Sequence, residues 1–542
     1  MARLRGFSNE YTYAKFLANG EERRFDEMFD GAVEKVTREI LGKKFPMYIN
    51  GEEKYAAAEV EERSPINGMT VGKFQLGTRE HARLAIDAAK SAFSSWSGLD
   101  YDERASIFRK AAELFRQQKF IVAALLSIEN GKTRYESIGE VDEAIDFLNY
   151  YSAETESNKG YGTKRTIDAS VGTVKEGFQG APSDSEKISL PMKPYGVFGV
   201  IAPFNFPISI STGMSTGALI TGNTVVFKPS STENMTMLTG LYIYRIFKEA
   251  GVPKGVFNYV TGPGSEIGDE LVSSPMVSGI AFTGSRRTGL GMMAKTYAAG
   301  QHKVFVVELG GKDPAIVSKT ADMDAAVEGI ASSAFGYSGQ KCSACSRVYV
   351  HESIKEEFIS KLAEKARGMK IGNPLAKGNY IGPLISNAAA ERFIASVAEA
   401  QVHGRIITGG NIVPAVSGGI YAEPTIIEIE STNRLFHEEL FIPFLVIDSF
   451  KKFDEALEKA NDTEYGLTAG LYSKNKAEMR AFSDKMESGV IYINRRIGAT
   501  TGAVVGAHAF VGWKGSGTTG KGTGSRHYLQ QFMREQSISV SK

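Results

Sequence analysis

Cys342 lies in Gly339-Gln340-Lys341-Cys342-Ser343-Ala344-Cys345, a short polar turn followed by Arg347 and an apolar run. A thiolate in such a turn can attack an electrophilic carbon. The plainer alternative is a small buried thiol, the usual fate of a free cysteine. The Cys-x-x-Cys spacing also fits a redox pair or half of a zinc site, but there is no second cysteine pair and the seven histidines are scattered. Cys345 is therefore read as structural and no metal is expected. Glu308 closes the apolar run Val304-Phe305-Val306-Val307 and precedes Leu309-Gly310-Gly311-Lys312. That puts a carboxylate at a strand end, where glycines let a ligand or another backbone come close. Burial would raise its pKa and make it a usable base, whereas alone it would more often be a paired structural carboxylate. Asn205 stands in Pro203-Phe204-Asn205-Phe206-Pro207. Prolines on both sides give its amide the rigidity needed to hold a developing oxyanion; the alternative is an ordinary turn residue.

These residues need elements to carry them. Thr78 can cap a helix whose apolar positions Ala82, Ile86, Ala89, Phe93 and Trp96 recur at steps of four and three. More helix is expected through Phe115 and Ile145, so residues 1–160 read as helical. Between Gly160 and Lys193 the chain is polar and rich in Gly, Ser, Thr and Lys, as an extended arm would be. From Tyr195, short apolar runs alternate with helix-length segments: Val197 to Ala202, Thr224 to Phe227, Val256 to Val260, Ile280 to Phe282 and Val304 to Val307. That βαβ alternation predicts a buried parallel sheet. A second series runs from Asp313 to Ile493, with strands expected at Val348 to Val350, Phe444 to Ile447 and Val490 to Ile493. Ser537 to Val540 reads as an edge strand.

With 542 residues, the chain is long enough for two or three packed domains and a cleft between them. Its formal charge of +1, with both signs interspersed, gives no basic stripe for nucleic acid. Two cysteines are too few for a secreted disulfide framework, and the N-terminus has no apolar signal segment, so a cytoplasmic protein is expected. The uncharged stretch from Pro194 to Phe227 is interrupted by Pro203, Asn205, Pro207, Gly213, Gly217 and Asn223, which suits core better than membrane.

The ordered set of motifs resembles the aldehyde dehydrogenase superfamily from about Met47 to the C-terminus. The set is PFNFP, Lys228-Pro229-Ser230, Phe282-Thr283-Gly284-Ser285, Glu308 to Lys312, GQKC ending at Cys342, Glu438-Glu439-Leu440-Phe441 and Asn461 to Leu467. The 34 positions between Glu308 and Cys342 match the family's base and nucleophile. The resemblance implies an α/β fold with four parts. These are a helical part of the cofactor domain at 1–160, an oligomerisation arm at 161–193 continued by 525–542, a Rossmann-type nucleotide-binding part at 194–308, and a catalytic α/β domain at 309–524. It implies Cys342 as nucleophile, Glu308 as hydrolytic base, and Asn205 with the Cys342 N–H as oxyanion hole. NAD or NADP would be held by Pro203, Lys228, Ser231, Gly284, Ser285, Glu439 and Phe441. Gly262-Pro263-Gly264-Ser265-Glu266-Ile267-Gly268 is one residue too long for the dinucleotide fingerprint. Ser231 stands where NAD-preferring relatives often carry an acid, which leaves NADP open; Glu233 could restore the NAD preference.

Within the superfamily, Thr501-Gly502-Ala503, Val505-Gly506, Phe510 and Gly515 to Thr518 resemble the 1-pyrroline-5-carboxylate dehydrogenase branch, as do a long N-terminal extension and Glu143 to Phe147. That branch oxidises glutamate γ-semialdehyde to glutamate. Such a substrate carries a distal carboxylate, for which Lys341, Ser343, the N–H groups of Gly502 and Ala503, and Phe510 are the candidate site. The chain departs from the branch in four places: Gly498-Ala499-Thr500 lengthen the loop before Thr501, Ile442 replaces a glycine, Phe204 a tryptophan, and Val511-Gly512 a glycine pair. The competing readings are another small or acidic aldehyde (succinate semialdehyde or a sugar-derived one), a thiol–disulfide oxidoreductase using both cysteines, and a non-catalytic protein on the same fold. The expected partners are a small aldehyde and further copies of the chain, at least a dimer, with no nucleic acid and no membrane.

Overall fold

The computed structural model describes residues 7–167, 186–231, 235–414 and 418–541. The first apolar series forms a seven-stranded sheet. Its order is Val304–Glu308, Val277–Thr283, Val197–Ile201, Thr224–Lys228, Phe257–Tyr259, Met47–Ile49 and Glu52–Lys54. The first five strands are parallel, with Ile201 paired to Lys228 on one side and Phe282 on the other. Their residues are covered on both faces, which is why the sequence shows unbroken apolar runs and not alternation. From Val197–Ile201 the chain winds first toward Phe257–Tyr259 and then to the opposite side. The strand order therefore reverses between Ile201 and Thr283, the place where a doubly wound sheet opens a crevice at its carboxyl ends.

The helix expected after Thr78 spans Arg79–Gly98, and Thr78 forms its capping box with His81. Ala82, Ala85, Ile86 and Ala89 pack against Val197, Val226 and Ile280. Trp96 Nε1 donates to Leu219 O at 2.9 Å, tying this helix to Ser209–Ile220. The uncharged stretch from Pro194 to Phe227 holds that buried helix between two sheet strands. No helix among the described residues is long and apolar enough to cross a membrane.

The second series forms another seven-stranded sheet, ordered Arg405–Thr408, Thr425–Glu428, Phe444–Phe450, Cys345–His351, Asp313–Val317, Thr468–Tyr472 and Val490–Ile493. All its pairs are parallel except the first. Outside both sheets, Thr163–Ile167, Glu186–Leu190 and Ile538–Ser541 form an antiparallel three-stranded unit with the C-terminal strand at its edge. The centre of the expected arm, 168–185, lies outside the described residues, as does Glu233.

Two expectations need correction. Residues 44–75 were expected to belong to a helical part, but they supply five strands. Met47–Ile49 and Glu52–Lys54 extend the first sheet, and Glu59–Arg63 pairs with Thr70–Gln75. These runs are too short for helical periodicity to appear or be contradicted. The tail assigned to the arm from residue 525 first returns to the core. Tyr528, Leu529 and Phe532 are buried against the first domain, and pairing outside the core resumes only at Met533–Glu535.

Candidate functional site

Helix Met323–Phe335 stops at Gly336, and Tyr337, Ser338 and Gly339 follow with φ of 50°, 53° and 67°. Two consecutive non-glycine residues in the left-handed region are strained, and such strain persists only where the surroundings hold it. Here Tyr337 OH donates to Asn130 O at 3.0 Å and Ser338 Oγ donates to Gly382 O at 2.8 Å. Gln340 Oε1 accepts the Ile385 N–H at 2.9 Å. Gly339 could carry no side chain, since a Cβ would lie 2.3 Å from Ile442 O. The turn that follows delivers Cys342 just ahead of strand Cys345–His351.

The glycines after Glu308 make room for that turn. A Cβ on Gly311 would lie 2.2 Å from Cys342 O, and one on Gly310 would strike the Glu439 carboxylate. The buried Arg347 guanidinium fastens the two segments, donating to Lys312 O at 2.8 Å and to Ala460 O at 2.9 Å. Glu308 ends its strand beside Gly517, and its Oε2 is buried without a hydrogen-bond partner. Burial pushes its carboxyl well above the usual carboxylate range, with the Gly512 N–H opposing. Burial also pushes the Cys342 thiol up, and the carboxylates of Asp313, Glu439 and Glu308 add to this while the Ser343 N–H opposes. The resting site thus favours a neutral thiol beside a neutral carboxyl.

Asn205 follows strand Val197–Ile201 at its carboxyl end. Its Nδ2 donates to Gln340 O at 3.2 Å, which aims the amide at the nucleophile turn and leaves a second N–H for another acceptor. The loop is braced from behind. The fully buried Lys132 pairs with Glu140 and sits 3.4 Å from the centre of the Phe206 ring. Glu140 Oε1 accepts the N–H groups of Ile208 and Ser209 at 2.8 and 3.2 Å, so the start of helix Ser209–Ile220 is already occupied by an anion.

Cys342 and Glu308 open into one cavity of about 470 Å³. Lys341, Ser343, Gly502, Ala503 and Phe510, the expected substrate residues, all line it. Lys341 Nζ is engaged by Glu136 at 3.2 Å. Gly502 has φ of 81°, and its carbonyl accepts from Arg495 at 2.6 Å.

The expected cofactor residues cluster at the carboxyl ends of the first sheet. Pro203 follows Val197–Ile201, Lys228 ends Thr224–Lys228, and Gly284 and Ser285 follow Val277–Thr283. Ser285 caps helix Arg286–Ala298, accepting the Thr288 N–H at 3.2 Å, and its side chain is exposed. With the earlier helix start taken by Glu140, this is the helix terminus of the crevice available to a pyrophosphate. Buried Lys228 donates to Pro229 O at 3.2 Å and Ser231 Oγ at 3.4 Å, and burial lowers its ammonium to about 8. An ammonium with two neutral acceptors keeps a third donor for a ribose hydroxyl. Glu439 Oε1 accepts the Gly311 N–H at 3.0 Å. Phe441, at φ 59°, stacks edge-on against Phe204 with ring centres 5.7 Å apart. These groups could hold a dinucleotide at the carboxyl ends of the first sheet.

Some of the cavity wall comes from residues that the sequence reading did not assign to the site. Glu143 and Lys132 face it, as does the N-terminal segment from Glu10 to Ala14. Burial raises the Glu143 carboxyl to about 7. One signal pointed here: helix Arg134–Ser157 carries apolar residues on every side, so its acids have no polar face to occupy.

The aldehyde dehydrogenase family model matches residues 52–538. The chain belongs to the aldehyde dehydrogenase family. It is 36% identical over 534 residues to 1-pyrroline-5-carboxylate dehydrogenase 1 of Halalkalibacterium halodurans, covering 97% of this chain and 98% of the relative. A structure of 1-pyrroline-5-carboxylate dehydrogenase from Thermus with bound NAD superposes with a TM-score of 0.88 at 33% identity, covering 99% of both chains. A structure of 3,6-anhydro-L-galactose dehydrogenase in complex with NAP gives a TM-score of 0.83 at 29% identity, covering 92% of this chain and all of that one.

Proposed function

We propose that the protein oxidises glutamate γ-semialdehyde, the open form of 1-pyrroline-5-carboxylate, to glutamate with NAD or NADP. One observation carries the choice of substrate. The cavity that holds Cys342 and Glu308 is lined by Ser343, Gly502 and Ala503 together with Glu143. A linear aldehyde with a distal carboxylate and ammonium would find donors for the first and an anion for the second. The names of the similar proteins support the same reading.

In this mechanism Cys342 gives its proton to solvent water and its sulfur adds to the aldehyde carbon. The oxyanion that forms is held by the free N–H of Asn205 and the backbone N–H of Cys342. The bound dinucleotide supplies the hydride acceptor. Glu308, once ionised, takes a proton from water as that water attacks the Cys342 thioester, and glutamate leaves with the thiol restored. Ser231, whose hydroxyl donates to Pro229 O at 2.8 Å, stands where an acid would repel a 2′-phosphate, so NADP is accommodated beside NAD. We further read the first sheet with its helices as the cofactor domain, residues 309–524 as the catalytic domain, and the three-stranded unit as the arm of a cytoplasmic homo-oligomer.

The test is the rate of NADH and NADPH formation with 1-pyrroline-5-carboxylate, succinate semialdehyde, glyceraldehyde and propanal, beside a Cys342→Ser control. The reading requires the pyrroline substrate to lead by more than about tenfold in kcat/KM, roughly 1.4 kcal/mol of transition-state preference. A lead by another aldehyde would reject it.

A further inference from the structure

The segment Gly498-Ala499-Thr500, which the sequence sets ahead of Thr501 in the candidate substrate loop, is held along its whole length. Ala499 and Thr500 are fully buried. Gly498 N–H donates to Ser332 Oγ at 3.1 Å, Ala499 N–H to Gly329 O at 3.0 Å, and Thr500 N–H to Ser333 Oγ at 3.0 Å, so the segment is pinned along helix Met323–Phe335. Ser333 Oγ also shares a hydrogen bond with Thr501 Oγ1 at 3.2 Å. From this anchorage the Thr500 hydroxyl donates to Ser343 O at 2.7 Å, next to the nucleophile.

We propose that Thr500 is a positioning residue that sets substrate specificity by locking the Ser343 turn to the Gly502-Ala503 loop. The inference rests on the reading above, in which those two segments grip the distal carboxylate. A carboxylate held from two separate loops is bound well only when the loops keep their spacing to within a few tenths of an ångström, and charge-assisted hydrogen bonds lose strength quickly as geometry relaxes. The Thr500 hydroxyl supplies a short, buried tie across that gap. Its loss would leave a buried carbonyl without this donor and let the Ser343 peptide turn. The chemistry at Cys342 is served by Asn205 and Glu308 from other elements, so the loss should fall mainly on recognition of the carboxylate.

The test compares kcat/KM for 5-oxopentanoate, which keeps the distal carboxylate of glutamate γ-semialdehyde and lacks only its ammonium, with that for pentanal, which lacks both, in the wild type, Thr500→Val and Thr500→Ser. Valine keeps the shape and removes the donor; serine keeps the donor. Thr500→Val is expected to lower the ratio about fivefold or more, chiefly through KM for the acidic aldehyde, the scale of one lost hydrogen bond to a positioned group. Thr500→Ser is expected to stay within about twofold of the wild type on the same scale. Should Thr500→Val fold poorly, Ser333→Ala removes the acceptor that holds the Thr500 N–H and is read by the same ratio. A variant that loses activity equally on both aldehydes, or a serine variant as impaired as valine, overturns the inference. A wild type without preference for the acidic aldehyde removes the substrate reading and this inference with it; a wild type with the preference and an unmoved ratio in Thr500→Val overturns the inference alone.

Discussion

Glu308→Gln separates the two halves of the reaction. Glutamine has nearly the same shape, and the Oε2 it replaces is buried with no hydrogen-bond partner, so the substitution breaks no contact of that atom. What it removes is a proton acceptor. A positioned general base contributes about 10²–10⁴-fold, or roughly 3–5 kcal/mol of barrier, and this should fall on thioester hydrolysis. Hydride transfer precedes that step. Rapid mixing with saturating aldehyde should therefore give a burst of about one reduced cofactor per active site, followed by a steady state slower by about that factor. In the wild type, burial holds the Glu308 carboxyl well above the usual carboxylate range, so steady-state turnover should rise with pH as the carboxylate forms. The variant should lose that limb. The sign for stability is opposite. A carboxyl with a raised folded-state pKa binds its proton more tightly when folded, so its contribution is intact below the unfolded value and is lost as pH rises toward the folded one. At pH 8 the glutamine variant should melt higher than the wild type. If the burst disappears with the turnover, Glu308 is needed to activate the thiol and the assignment to hydrolysis is wrong.

Cys342→Ser should abolish both burst and turnover, whereas Cys345→Ser should retain most activity; equal loss in both would favour a dithiol mechanism. Asn205→Ala should lower kcat about 10²–10³-fold with little change in cofactor affinity measured by fluorescence titration, the scale of one lost oxyanion donor. Ser231→Glu should reduce kcat/KM for NADPH relative to NADH by at least about tenfold, because a carboxylate then faces the 2′-phosphate. Glu143→Gln should raise KM for glutamate γ-semialdehyde more than for succinate semialdehyde, which has no ammonium for that acid to hold.

The three candidate catalytic side chains were legible because each sits in an unusual local pattern: a thiol in a polar turn, an acid at the end of an apolar strand, and an amide between prolines. Five strands of the first sheet and three of the second were legible because strands buried on both faces spell themselves as apolar runs. The strands of 44–75 were not, since they are short and partly exposed. The far wall of the cavity was not either. Lys132 sits in the turn between helices Lys119–Asn130 and Arg134–Ser157, and Glu143 gains its placement where the second of these packs on Ser209–Ile220, a crossing that no local spacing records. Thr500 was visible only as part of a loop of unexpected length; its significance depends on a carbonyl 157 positions away.

The rule that ligands bind at the carboxyl ends of parallel strands locates only half of this site. Pro203, Lys228, Ser285 and Glu308 obey it in the first sheet. The second sheet contributes its opposite edge: Cys342 precedes strand Cys345–His351, and strand Asp313–Val317 begins five residues after Glu308. At that amino edge Asp313 Oδ1 accepts the Thr468 N–H at 2.7 Å, so the strand starts are fastened to one another and not left open for a ligand. The carboxyl edge of one sheet is thus set against the amino edge of the next, joined by Leu309 to Lys312. A connection this short leaves no space for side chains between the Glu308 strand and the Cys342 turn, and Gly310 and Gly311 meet that demand. The pair of glycines is a consequence of bringing Glu308 and Cys342 from two sheets into one cavity, and a Cβ at Gly311 would collide with the Cys342 carbonyl.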